Sequence, residues 1–267
     1  MISLPDQWLN HWKGKDLFEE LFFLKGKVYR DQDCRKTLRF IFNHKPYFIK
    51  LHSGIGWKEI IKNLMQLKFP VTGAQNEWLA IKRLTNLGVN TMCLVGYGKK
   101  GINPAKIKSF VITKEISNTV SLEELCAGWR SFPPDYSLKR AIITKVAKIA
   151  GTIHANGLNH RDFYICHFLL DISDGIENID RKKLRLYLID LHRAQIRRQT
   201  PVRWRVKDIA GLYFSSRDAG LTKRDLLRFA RVYSNTALKT TLSKDKKFWK
   251  KVITRGDSLY AKIHKGT

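Results

Sequence analysis

The stretch Asn159–Asp171, NHRDFYICHFLLD, decides how this 267-residue chain is to be read. Just before it, LKRAIITKVAKIAGTIHANG (Leu138–Gly157) is long and amphipathic, with Ile142, Val146, Ile149 and Ile153 on one stripe. Gly157 is placed to end that helix. The apolar FLLD (Phe168–Asp171) and LRLYLID (Leu184–Asp190) then read as two short strands, and the charged ISDGIENIDRKK between them as a solvated hairpin loop. Asp162 therefore stands in a loop leaving a helix, and Asp190 at the end of a strand. Each is either a turn residue or a carboxylate presented to a reacting group.

Working outward, the first third reads as strands with helical insertions. LFFLKGKVYR, RKTLRFIFN and KPYFIKLH are β-branched or aromatic runs, the second and third separated by a turn at Asn43–Pro46. GWKEIIKNLMQLKF sets Ile60, Ile61, Leu64 and Leu67 at helical spacing and ends at Pro70. A second helix, NEWLAIKRLTNLG, closes at Gly88, and TMCLVGYGKK and KSFVITKEI are two further strands. From Ser121 the pattern turns helical: SLEELCAGW opens with a capping box, Ser121 with Glu124. Three more helices are expected around Lys207–Ser216, Lys223–Tyr233 and Lys246–Ile263. The fold class is α+β and bilobal, with a small β-rich N-lobe over residues 1–116 and a helical C-lobe over 117–267, joined near Ser117. There is no repeat and no Gly/Ser-rich linker.

Composition narrows the partners. Fifty Lys and Arg against 23 Asp and Glu leave a formal charge of +27, a field that attracts polyanions. Every apolar run is soon broken by Lys, Arg or Asp, so neither a signal peptide nor a membrane span is expected. Cys34, Cys93, Cys126 and Cys166 lack metal-site or CxxC spacing and read as reduced, mostly buried thiols.

Phosphoryl transfer needs a lysine on the nucleotide phosphates, an acid to orient it, a carboxylate facing the acceptor hydroxyl and another for the metal. The chain supplies these in the kinase order: Lys50 ending the strand YFIK, Glu77 opening a helix, Asp162 within His160-Arg161-Asp162, and Asp190. Singly, Lys50 reads as an edge charge, Glu77 as an acid favoured by the helix dipole and Asp162 as a turn residue. Their joint order favours a kinase. The base of ATP would then meet main-chain groups of Thr113, Lys114, Glu115 and Ile116, and Mg2+ would sit on Asp190.

Several departures bear on the substrate. There is no G-x-G-x-x-G loop, since the first hairpin offers only Gly26, leaving Lys50 with Arg30 or Arg35 for the phosphates. Asp190 is followed by LHRA instead of Phe-Gly, with no A-P-E after it, which points to a non-protein acceptor. His167 stands where the pattern H-R-D-x-x-x-x-N has asparagine. Arg193, Arg197, Arg198, Arg203, Arg205 and Lys207 crowd the segment after Asp190. They are either a solvated face or contacts to an anionic acceptor. Asp208 is either a brace for the catalytic loop or an acid at a helix start. The tail KDKKFWKK is either an interfacial segment or a solvated helix face.

Together NHRDFYICHFLL, IDLHRAQ, NEWLAIKRLTNLGVNTM, KEIIKNL and DIAGLYFSS resemble the WaaP/RfaP family of lipopolysaccharide core heptose(I) kinases of Gram-negative bacteria, from about Trp12 to Tyr233. The resemblance implies a protein-kinase-like fold and transfer from Mg-ATP to a hydroxyl of the first inner-core heptose. By position it makes Asp162 the base, Asp190 a magnesium ligand, Lys50 the phosphate lysine and Glu77 its partner. Histidine at position 167 is the family's own residue, holding metal weakly or through water, or orienting the loop. Arg193, Arg197, Arg198 and Arg203 would face the acceptor, a lipid-linked sugar carrying carboxylates and phosphates. The enzyme would work in the cytoplasm, peripherally on the anionic inner membrane, with an acidic carrier protein as a candidate partner. A kinase for Kdo or the second heptose is the near alternative. A pseudokinase scaffold is disfavoured by the intact catalytic positions, and a nucleic-acid-binding protein by the lack of any such module.

Overall fold

The computed structural model describes residues 1–32, 34–66 and 71–264. The chain divides into two compact units, Met1–Arg83 with Met92–Ile116, and Leu84–Thr91 with all that follows Ser117.

The first unit contains β1 (Ile2–Ser3), α1 (Asp6–His11), α2 (Leu17–Phe22), β2 (Lys27–Gln32), β3 (Arg35–Phe42), β4 (Lys45–His52), α3 (Gly56–Met65), most of α4 (Gln75–Asn86), β5 (Leu94–Lys100) and β6 (Lys108–Lys114). The strands form one antiparallel sheet in the order β1-β5-β6-β4-β3-β2. Asn43 and His44, at φ 48° and 60°, make the two-residue turn between β3 and β4. Because side chains alternate along a strand, Leu38, Phe40, Phe42, Tyr47, Ile49 and Leu51 all fall on one face. That face packs on Trp8, Trp12, Phe18 and Leu21 from the N-terminal helical segment. The Trp8 ring stacks on Phe42 at 4.0 Å between centroids and meets Tyr47 edge-on at 4.9 Å.

Two sequence expectations change here. LFFLKGKVYR is not one strand, because Leu21 and Phe22 finish α2. The Asp16 carboxylate caps that helix, accepting from the N–H groups of Phe18 at 2.9 Å and Glu19 at 3.3 Å, and Phe18 and Leu21 meet the core at helical spacing. Gly26 is not in the hairpin turn either. It precedes β2, where a Cβ would stand 2.2 Å from the Arg39 carbonyl oxygen, so its glycine serves close strand approach. Leu67 and Pro70, assigned to the end of α3, lie outside the described residues. Gly88 closes α4 as expected, at φ 68°.

The second unit holds β7 (Thr119–Ser121), α5 (Leu122–Cys126), α6 (Tyr136–Ala155), β8 (Leu158–Asn159), β9 (Phe168–Asp171), β10 (Leu186–Leu188), β11 (Gln195–Ile196), α7 (Val202–Ser215), α8 (Lys223–Ser234), α9 (Leu238–Lys244) and α10 (Lys246–His264). Single 3-10 turns lie at Ile165–His167 and Leu191–Arg193. The strands make a three-stranded sheet, β10-β9-β7, and the pair β11-β8. The Ser121–Glu124 capping box is present, and Ile142, Val146, Ile149 and Ile153 of α6 are all buried. Gly157 is indispensable at φ 79°: β11 passes so close that a Cβ would lie 1.8 Å from the Arg197 carbonyl oxygen. Helix α7 begins earlier than expected, because Pro201 at φ −59° sets up its first turn. Helix α9, LKTTLSK, buries only Thr241 and so lacks the apolar period that would have revealed it. Phe248 and Trp249 of the tail pack against Tyr233, with centroids at 5.9 and 5.6 Å, and only the lysines around them are exposed. All four cysteines are free thiols, but only Cys126 is buried and Cys93 is exposed.

Asp225 ties three elements together. It forms a capping box with Thr222 and lies 3.0 Å from both Lys139 of α6 and Arg228 of α8. Burial pulls its carboxyl upward, but the hydrogen bonds from Thr222 and Lys139 outweigh that and hold it below the usual carboxylate range. A depressed folded-state pKa stabilises the fold above the unfolded value, near ~3.9, and that contribution is lost as the pH falls through the folded value. Asp225→Asn is expected to cost roughly 1–3 kcal/mol at pH 7. In denaturant titrations the gap to the parent should close as the pH drops below about 4.

Candidate active site

In the first unit, the alternation that sends Ile49 and Leu51 into the aromatic core turns Lys50 to the opposite face of β4. There its Nζ donates to Glu77 Oε1 at 2.7 Å. Glu77, in the first turn of α4, is 1% exposed, and its Oε2 has no hydrogen-bond partner among the described residues. Lys50 keeps 24% of its side chain accessible, against 1% for Glu77, so the acid is the buried end of the pair. Arg30 lies on the exposed β2 and Arg35 at the start of β3. In the segment 113–116, the Lys114 N–H donates to the Cys93 carbonyl at 2.9 Å and the Glu115 N–H to the Pro46 carbonyl at 3.2 Å. The Glu115 carboxylate is taken by Arg39 at 2.8 Å. The main-chain N–H groups of Lys114 and Glu115 are thus both taken within the first unit.

In the second unit, the His-Arg-Asp loop is held from beneath by Asp208. This carboxylate, fully buried in mid-helix on α7, accepts from the His160 N–H at 2.6 Å and the Arg161 N–H at 2.8 Å. It is thus a brace, too far along α7 to act as a helix-start acid. His154 carries the linkage on, lying 3.3 Å from Asp208 through Nε2 and 2.9 Å from the Tyr233 hydroxyl through Nδ1. Arg161 adopts φ 77°, a left-handed conformation strained for a side-chain-bearing residue. Burial holds the His160 ring below its usual range, and its Nε2–H donates to the Ile189 carbonyl at 2.9 Å. That bond ties the loop to the residue preceding Asp190.

Asp162 faces outward from this base, and its Oδ1 accepts from Arg193 Nη1 at 2.8 Å. His167 Nδ1 donates to the Asp162 carbonyl at 2.7 Å. In the tautomer this bond selects, Nε2 carries the lone pair, and it lies 3.6 Å from Asp190 Oδ2. Asp190 is itself left-handed at φ 58°, and its Oδ1 accepts from His192 Nδ1 at 2.8 Å. A lone pair facing a carboxylate oxygen at that spacing suits two ligands of one cation. No group of three or more His, Cys, Asp or Glu among the described residues is placed to hold a metal ion by itself. A magnesium site needs no more than one or two protein carboxylates when phosphates supply the rest, so the Asp190 carboxylate fits it, while the His167 nitrogen is the weaker donor for so hard a cation.

The basic residues after Asp190 separate by role. Arg193 is committed to Asp162, and Arg197 donates to Asn159 at 2.6 Å and Gln195 at 2.7 Å, bracing the β8–β11 pair. Arg198 and Arg203 are exposed. Arg205 lies over the Phe248 ring. The sequence reading overlooked Arg161 itself. The only available signal was its place between two residues already singled out.

A model of the lipopolysaccharide kinase (Kdo/WaaP) family matches residues 19–233. The chain belongs to this family. Among curated relatives, a lipopolysaccharide core heptose(I) kinase WaaP from Escherichia coli is 49% identical over 92% of this chain and 91% of its own. One from Pseudomonas aeruginosa is 49% identical over 90% and 89%. A solved structure, WaaP in complex with acyl carrier protein, superposes with a TM-score of 0.84 at 41% identity, covering 97% of this chain and 99% of that one. The Kdo/WaaP kinase fold is thus the bilobal, protein-kinase-like α+β class expected from the sequence.

Proposed function

We propose that this chain transfers the γ-phosphate of ATP to a hydroxyl of the first heptose of the lipopolysaccharide inner core. The observation that carries the reading is its 49% identity, over nine-tenths of the chain, to kinases named for that reaction. The Lys50–Glu77 pair and the Arg193-oriented Asp162 are its chemical support. Lys50 meets the nucleotide phosphates, held in place by Glu77, and the Ile116 N–H meets the base. Asp162 takes the proton of the acceptor hydroxyl as that oxygen bonds to the γ-phosphorus, and the bond to the β–γ bridging oxygen breaks to release ADP. Asp190 and His167 would hold magnesium, which neutralises charge on the phosphates.

The test is transfer from Mg-ATP to core-dephosphorylated lipopolysaccharide, read by mass spectrometry. Phosphate on the first heptose is the expected product. Phosphate on Kdo or the second heptose would move the reading to the near alternative, and no phosphate on any core sugar would end it.

The enzyme is placed peripherally on the cytoplasmic face of the anionic inner membrane. No helix of the described residues is long and apolar enough to cross a membrane. Helix α3 instead exposes Trp57, Ile61, Leu64 and Met65 beside Lys58 and Lys62, a composition suited to an anionic lipid interface. An acyl carrier protein, the partner in the related solved structure, is the second assigned contact. Two features of the second unit support it. One is an apolar cavity of about 200 Å³ lined by Cys126, Ile142, Val146, Leu212, Trp249 and Val252, suited to an acyl tail. The other is a depression of about 990 Å³ bordered by Lys148, Arg205, Lys244, Lys247 and Lys251, suited to an acidic surface. Capture of the carrier should weaken steeply as salt is raised, and a yield indifferent to ionic strength would remove the electrostatic contact.

A further inference from the structure

Around the indole of Trp204, the third residue of α7, stand four cations. Arg161 lies 5.3 Å from the ring centroid, Arg203 5.3 Å, Lys207 5.5 Å and Arg197 5.7 Å. None of the four pairs with a carboxylate among the described residues. Arg197 is bonded to neutral amide oxygens only. Asp208 spends its oxygens on main-chain N–H groups and His154, and Asp162 is hydrogen-bonded to Arg193.

Arg161 is the sharpest case. The residue is only 8% exposed, yet its guanidinium makes no hydrogen bond within the described residues, and its Nε is sealed from solvent. Burial and then the neighbouring Arg193 pull its pKa below the usual guanidinium value, outweighing the opposite pull of Asp162 and Asp208. Lys207 is pulled down likewise, first by burial and then by Arg193 and Arg161. The Trp204 Nε1–H is also buried without an acceptor among the described residues. Helix α7 opens here with neither a side-chain cap nor an acidic residue in its first turn, so its positive end is uncompensated. Burying charge and donors this way is costly unless something anionic completes the site.

We propose that Arg161, Arg203 and Lys207, arrayed around Trp204 and adjacent to Asp162, form the subsite that holds an acidic group, carboxylate or phosphate, of the saccharide acceptor. The inference deepens the sugar-kinase reading above and rests on it for the identity of the acceptor. It makes Arg161 and Lys207 positioning and specificity residues: they hold the acceptor by its charge while Asp162 addresses the hydroxyl. The loop arginine is thus assigned to the acceptor, together with a lysine one residue before the brace Asp208. The left-handed conformation of Arg161 has a use in this arrangement, since it turns the side chain toward Trp204 while its amide stays on Asp208.

The experiment is titration calorimetry of the full chain with inner-core oligosaccharide, at saturating non-hydrolysable ATP analogue so that the nucleotide site is filled. The oligosaccharide is used intact, with its carboxylates reduced to alcohols, and after phosphatase treatment. Intact oligosaccharide should bind about tenfold tighter than one of the two modified forms, and which one identifies the group held. Arg161→Gln and Lys207→Gln should each weaken intact oligosaccharide about tenfold and abolish the discrimination, with Arg161→Lys recovering part of it. In turnover the same variants should raise KM for the acceptor and leave KM for ATP unchanged. Because Arg161 sits in a strained loop, Lys207→Gln is the control that keeps the test independent of folding. Variants that bind the intact oligosaccharide as the parent does would overturn the subsite even if phosphate is transferred to heptose. Charge-dependent binding without transfer to any core sugar would leave the subsite standing and remove the heptose reading.

Discussion

Asp162→Asn is expected to slow phosphate transfer by roughly 10²- to 10⁴-fold, the range ascribed to a positioned general base. The loss should appear in kcat, because the nucleotide phosphates are assigned to Lys50 and the acceptor charge to the Trp204 cluster, both left intact. Asparagine keeps an oxygen for Arg193 Nη1, so the loop geometry that depends on that 2.8 Å bond is retained. What disappears is the capacity to take the proton of the hydroxyl. A rate within about tenfold of the parent, measured by single-turnover transfer, would mean that the proton leaves by another route.

The second large effect belongs to a residue that touches no substrate. Asp208→Ala is expected to cost roughly 3–5 kcal/mol, the range for stripping one partner from a buried, hydrogen-bonded charged network. In a chain of this size that corresponds to a fall in Tm on the order of 10 °C. Two buried main-chain N–H groups, of His160 and Arg161, would lose their acceptor, and His154 would be left bonded to Tyr233 alone. Arg161 would also lose what holds it at positive φ. Asp208→Asn, offering one oxygen to two amides, should fall between the parent and the alanine variant. Thermal melting without ligands is the direct check. An unchanged Tm would show that the amides are satisfied by other means.

These two residues also mark what could be seen in the sequence. The ordered set Lys50, Glu77, Asp162 and Asp190 was visible because each falls at the boundary of a strongly patterned element, and the Lys50–Glu77 contact follows from strand alternation and the first turn of α4. Asp208 carries two readings in the sequence because the visible helical pattern begins only near Lys207. Moving that start back to Val202 turns a supposed helix-terminal acid into a mid-helix brace. The run from Leu21 looked like a strand because apolar density alone does not separate strand from helix, and Asp16, the cap that decides it, lies upstream of the run. The basic segment after Asp190 was read as one patch. Yet neighbouring arginines serve different ends: Arg193 holds Asp162, Arg197 locks two strands, and Arg203 joins a cluster completed by Arg161 from far earlier in the chain. Such convergence is tertiary, and no local period encodes it.

The brace has a further consequence, for the order in which the protein becomes competent. His160 and Asp208 are 48 positions apart, and Asp162 and Arg193 are 31 apart. During synthesis the loop emerges well before the residues that shape it, so a nascent chain ending anywhere short of α7 carries the motif without its geometry. Ribosome-stalled chains of increasing length should remain inert toward the acceptor until that helix has cleared the exit tunnel, and then gain activity over a narrow span of lengths.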